Sequence, residues 1–120
     1  MQPVEIAPEL EAVVVAVATE RGCRVARDTH YDAFNIELQW WSGNCLHRID
    51  FQPYPEAHVV VTALADTFPV MGKLLCVLRK VVPMFPYLAK TESTALGTLH
   101  PPFNSEHLRK EIEGYVCKAA

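Results

Sequence analysis

The stretch FNIELQWWSGNCLHRIDF, residues 34–51, decides how the rest of the chain is read. Apolar residues fall on every second position: Phe34, Ile36, Leu38 and Trp40 share one side, while Asn35, Glu37, Gln39 and Trp41 share the other. Successive side chains of a strand point to opposite faces, so this period predicts a half-buried β-strand. Ser42–Gly43 and Gly43–Asn44 are both favoured two-residue hairpin loops, and the chain turns at one of them. With Ser42–Gly43 central, Phe34 faces Phe51, Ile36 faces Ile49, Leu38 faces His47 and Trp40 faces Cys45. Glu37 then meets Arg48, an opposite-charge cross-strand pair. Centring on Gly43–Asn44 keeps both faces but sets Glu37 against Asp50, so the first register is the expected one.

Working outward, QPYPEA (52–57) carries two prolines and reads as a turn, and HVVVTALAD (58–66) is the most apolar strand, placed centrally in the sheet. Pairing Phe51 with Ala57 brings Ile49 to Val59, His47 to Val61 and Asp50 to His58. Upstream, CRVARDTH (23–30) is a short strand. PELEAVVVAVATERG (8–22) is a helix with Pro8 in its first turn, Glu9 and Glu11 at its positive end and Gly22 as its stop. Leu10, Val13, Val14, Val17 and Ala18 make its apolar face.

Downstream, a second helix is expected over 68–82, with Pro69 near its start and Pro83 ending it. Val70, Met71, Leu74, Leu75, Val77, Leu78, Val81 and Val82 nearly surround it. A helix apolar all round is buried, or is half of an interface between subunits. Prolines at 83, 86, 101 and 102 bracket TALGTL (94–99), a candidate edge strand inside a long loop over 83–104, and loops of that length are often functional. The last helix starts at Asn104 or Ser105, turns Leu108, Ile112, Tyr115 and Val116 inward, and carries Glu106–Lys110 and Arg109–Glu113 as i,i+4 pairs. The expected class is α+β in one domain, 1–120: a four-stranded antiparallel meander with three helices in the order α-β-β-β-β-α-loop-α, helices mainly on one face.

The 120 residues can bury roughly two-thirds of their unfolded surface without staples. Half the residues are hydrophobic, 21% are charged and the net charge is −3, with no basic cluster. That balance argues against nucleic acid and against a polybasic membrane surface as partners. No apolar run approaches the ~20 residues of a membrane span. The run VVVAVA (13–18) follows Glu5, Glu9 and Glu11, whereas a secretory signal carries a positive leader. Cys23, Cys45, Cys76 and Cys117 form no CxxC pair and sit in apolar segments, which predicts reduced thiols and a cytoplasmic setting.

Cys45 and His47, two apart on one strand, share a face and could meet as metal ligands or as thiol and base. A structural zinc site needs four ligands, and His58 falls on the other face, so the stretch reads as a hairpin tip. Asp50 with His58 offers either an acid/base pair or a solvated cross-strand charge pair, the commoner of the two. His100 and His107 flank Glu106 without a metal-ligand pattern. No GxGxxG, GxxxxGK[ST] or GxSxG is present. No catalytic residue, cofactor or metal is assigned.

Trp41, Leu46, Val60 and Leu64 alternate onto the face that Glu37, Arg48 and Asp50 also occupy. Covered only on its inner side, the sheet would leave these four as an apolar strip of the kind that marks partner surfaces, unless 83–104 folds over them. The expected function is a non-catalytic protein-interaction module, chaperone-like or inhibitor-like, using that open face or helix two, and a homodimer is one form it could take. The alternative is a small-molecule binder or enzyme with a pocket between the sheet and the 83–104 loop, lined by Met84, Phe85, Tyr87 and His100. A third reading is an extracytoplasmic or surface-exposed protein exported without a visible signal, which disulfide-bonded cysteines would support.

Overall fold

A computed structural model describes residues 4–30, 33–56, 58–69, 71–81 and 89–119. The elements in order are α1 (Pro8–Arg21), β1 (Arg24–His30), β2 (Ala33–Ser42), β3 (Cys45–Pro53), β4 (Val59–Thr67), α2 (Gly72–Val81), β5 (Lys90–Leu99) and α3 (Ser105–Ala119). The class is α+β, and the sheet is an antiparallel meander in the order β1-β2-β3-β4-β5. It has five strands rather than four. The added strand is the candidate edge strand, which begins at Lys90 and takes up much of the expected 83–104 loop.

The inner face of the sheet carries Ile36, Leu38, Ile49, Phe51, Val59, Val61 and Leu99, all nearly or fully buried. Leu10, Val14 and Val17 of α1 and Leu108, Ile112 and Val116 of α3 close over them. Two helix ends are capped locally. Gly22, at φ 68, ends α1 in the left-handed conformation, and Cys23 N donates to Ala18 O at 2.8 Å. Asn104 Oδ1 accepts from the backbone N–H of Glu106 and His107 at the start of α3. In β5, Tyr115 Oη approaches Gly97 so closely that a Cβ there would lie 3.0 Å from it. A β-bulge at this point lets β5 bend along the α3 side.

Two registers differ from expectation. Ser42 pairs with Cys45, so Gly43 and Asn44 form the β2–β3 turn and Glu37 faces Asp50. Gly43, at φ 59, occupies the first loop position, where a two-residue loop favours glycine. The like-charge pair is tolerated because neighbours neutralise it. Arg48 lies 3.6 Å from Glu37, Gln39 Nε2 donates to Glu37 at 2.7 Å, and Asn35 Nδ2 donates to both Asp50 oxygens. Between β3 and β4, Phe51 faces Val61 rather than Ala57, Ile49 faces Ala63 and Asp50 faces Thr62. The turn is drawn tight by Tyr54 N donating to His58 O at 2.9 Å, which extends the ladder to Pro53–Val59. The slip is an even number of residues, so every side chain keeps its expected face.

The helix expected over 68–82 is shorter, and Val70 and Val82 lie outside the described residues. It docks on the outer face at the hairpin end. Leu46, Phe68 and Cys76 form a second small core there, flanked by Trp41, Leu75 and Ala89. Asn44 holds it: its carbonyl accepts from Phe68 N at 2.9 Å and its Oδ1 from Gly72 N at 3.1 Å. A Cβ on Gly72 would meet Asn44 Cα at 3.0 Å and Trp41 Cζ3 at 3.1 Å. In an unobstructed helix a glycine-to-alanine change gains up to about 1 kcal/mol. Here Gly72→Ala is expected to lower stability by about 1–3 kcal/mol, as overpacking does. Urea denaturation measures it, and a gain would mean that α2 does not sit against the hairpin tip.

Candidate functional site

Cys45 and His47 share the inner face at the hairpin tip, as their spacing requires. The His47 ring stacks on Trp40, with centroids 5.2 Å apart and planes 16° from parallel. Cys45 Sγ accepts from Thr67 Oγ1 at 3.7 Å. His58 is elsewhere, stacked on Tyr54 at 4.9 Å and 6.0 Å from His100, so the Asp50–His58 pair does not form. His107 pairs with Glu111, one turn along α3, at 2.9 Å. Among the described residues, no three His, Cys, Asp or Glu side chains come together where they could hold a metal. All four cysteines are free thiols. Burial pushes the Cys23 thiol up, against a smaller downward pull from Arg21, so it is a poor nucleophile at neutral pH. Burial, and then Glu111, likewise raises the Tyr115 phenol.

The expected strip of Trp41, Leu46, Val60 and Leu64 is divided. Trp41 and Leu46 are cross-strand partners under α2, Leu46 is only 5% exposed, and the Trp41 ring tilts against Phe68 at 5.8 Å. Phe68 and α2 cover them, and Ala89 of the segment after Pro83 packs against the same cluster. Val60 and Leu64 are half-buried on the part of the outer face that α2 leaves open. Met84, Phe85 and Tyr87, expected to line a pocket, lie outside the described residues, and His100 stands beside His58.

The surface feature that sequence reasoning missed is the far side of α2. Met71 is 64% exposed, Leu74 49%, Val77 58% and Leu78 38%. The helix expected to be apolar nearly all round is amphipathic over Gly72–Val81, with Lys73 exposed, and among the described side chains the side bearing Gly72, Leu75 and Cys76 is covered. Met71 also holds φ 48, a left-handed conformation that costs a residue with a side chain of the order of 1 kcal/mol. Its carbonyl accepts from Leu75 N at 3.0 Å, so the strained residue begins the helix.

Beside this ridge, two adjoining hollows of ≈ 550 and ≈ 210 Å³ open at the hairpin end, and both are lined by Arg24, Gln39, Trp41 and Lys73. Arg21 and Cys23 line the larger, Val77 the smaller, and no lining residue is acidic. A separate hollow of ≈ 590 Å³ lies at the other end, between Ile6, Arg27, Asp28, Phe34 and Asn35. Asn35 Oδ1 is buried there without a hydrogen-bond donor.

Between the two ends runs a polar network on the outer face. Asp66, wholly buried, accepts from Arg48 Nη2 at 3.1 Å and Thr91 Oγ1 at 2.7 Å. This ties β3, β4 and the edge strand β5 together. Asp66→Ala is expected to cost about 2–3 kcal/mol, below the 3–5 of a fully buried pair because Arg48 keeps Glu37 and some solvent. Chemical denaturation checks it, and a loss under about 0.5 kcal/mol, the scale of an ordinary surface change, would mean the network is not formed.

Among the described residues no helix is long and apolar enough to cross a membrane. Compared with protein-family models, curated proteins and solved structures, the chain finds no match, so its own side chains are the ground on which function is read.

Proposed function

We propose that the chain is a non-catalytic protein-interaction module, chaperone-like or inhibitor-like, acting in the cytoplasm with its thiols reduced. Its docking surface is the outer side of α2, continued by the open sheet face around Val60 and Leu64. One observation carries this reading: Met71, Leu74, Val77 and Leu78 stand out from a helix whose opposite side is fixed to the sheet. Large apolar side chains grouped on a surface mark association sites, whereas scattered ones carry no such meaning. A left-handed methionine at the head of the ridge adds to it, since backbone strain persists where a function or a surrounding structure maintains it.

The test is the double change Leu74→Ser and Leu78→Ser. Both side chains are exposed, so the fold and its melting temperature are expected to hold, with changes within about 0.5 kcal/mol per site. Native mass spectrometry of the parent chain is expected to show a dimer or a defined complex that the variant loses. Identical spectra, with the parent monomeric and unaccompanied, would sink the reading.

A second reading, a small-molecule site, has one observation in its favour: the unpaired Asn35 Oδ1 beside a hollow of a size that ligands fill. Thermal stabilisation by a metabolite, abolished in Asn35→Ala, supports it, and a flat screen removes it.

A further inference from the structure

Four of the protein's cations are held by acids. Arg27 is paired with Glu11, Arg48 with Glu37 and Asp66, Lys90 with Glu92, and Arg109 with Glu20 and Glu113. Among the described residues Arg21, Arg24, Lys73, Lys110 and Lys118 pair with no acid, and of these Arg21, Arg24 and Lys73 lie together. These three share one hollow, Arg24 and Lys73 line both, and neither hollow has an acidic wall. Arg21 ends α1, where the helix dipole already favours a cation. Arg24 and Lys73 have no such explanation. In a chain of net charge −3, three unpaired cations gathered beside Trp40 and Trp41 are a feature that calls for a partner.

We propose that this hollow receives an acidic, apolar segment of a partner protein. A carboxylate of the segment sits between Arg24 and Lys73. An adjacent apolar side chain covers Trp41 and runs along Val77 onto the α2 ridge. The inference rests on the interaction-module reading and names the chemistry of its partner. Charge complementarity selects the acid, and the continuity of hollow and ridge through Val77 selects a polypeptide. A phosphodiester backbone would use the cations but gain nothing from Met71, Leu74 and Leu78. An anionic bilayer would use both, but a membrane surface cannot fill a concavity, and a net negative chain is repelled from it.

The probe is a synthetic amphipathic peptide, DELFEELLDE, with a control in which lysine replaces each acid. Binding to the full chain is followed by calorimetry and by the Trp41 indole N–H resonance. The acidic peptide is expected to bind, to weaken as salt rises, and to shift the Trp41 signal. The lysine control, and the double variant Arg24→Glu with Lys73→Glu, are each expected to bind at least tenfold less tightly. Arg24 and Lys73 are exposed, so circular dichroism of the variant should match the parent, and the milder Arg24→Gln with Lys73→Gln serves if it does not.

Equal binding of both peptides, or no loss on charge reversal, overturns the acidic partner. If the Leu74→Ser, Leu78→Ser variant still abolishes binding in that case, the docking ridge survives without its acid selectivity. Binding of neither peptide overturns the proposal outright. So does charge-dependent binding confined to vesicles of phosphatidylcholine and phosphatidylglycerol, or to oligothymidine, which would assign the cations to lipid or to nucleic acid instead.

Discussion

The rest of the outer surface depends on Asn44. Its carbonyl and its side-chain oxygen each accept one backbone N–H from the connection that leads into α2. Both acceptors are free for this because Asn44 lies in the turn rather than in the ladder. The register of the hairpin and the position of the helix are therefore one choice. Moving the turn by one residue would return Asn44 to β3 and leave Phe68 N and Gly72 N without these partners, and an unsatisfied buried donor costs about 1–3 kcal/mol. That outweighs the small gain of placing Glu37 directly opposite Arg48, worth roughly 0.2–1 kcal/mol across a strand pair. The Glu37–Arg48 attraction survives in any case on the diagonal.

Face and register differ in how far the sequence carries them. Period-two alternation identified β2 and β3 and both of their faces, because face is a local property of each strand. Register was not legible: the two candidate turns preserve both faces, and the deciding bonds come from Phe68 and Gly72, more than twenty residues away. The same holds between β3 and β4, where an even slip leaves the pattern unchanged. β5 was half legible. KTESTALGTL has no apolar alternation because an edge strand with six exposed residues at its start buries almost nothing until Leu96, Gly97 and Leu99. Its threonines, well suited to a strand, were the remaining signal.

The candidate surface was legible in kind more than in place. Trp41 and Leu46 stood out as apolar residues on a polar face, but a helix lies over them, and the apolar exposure moves one layer outward to Leu74, Val77 and Leu78. Apolar residues on more than one side of α2 leave open which side it will bury. Here Gly72 decides it, since only a residue without a side chain admits the hairpin tip at 3.0 Å. The basic hollow was invisible in the sequence because Lys73 is about fifty residues from Arg21 and Arg24 and their number is unremarkable. Only the docking of α2 beside the hairpin brings the three to one hollow.

The order of the sheet has a kinetic consequence. Every strand pair joins neighbours in the chain, and three of the four connections are short, so the meander can assemble by local steps with little loop entropy to overcome. The layer that seals its inner face is different: α1 and α3 pack together from opposite ends of the chain, about ninety residues apart in sequence. Pairing the strands therefore closes short loops, whereas covering Ile36, Ile49, Phe51 and Val61 with both helices closes nearly the whole chain, so the seal over the inner face carries the largest share of the loop entropy.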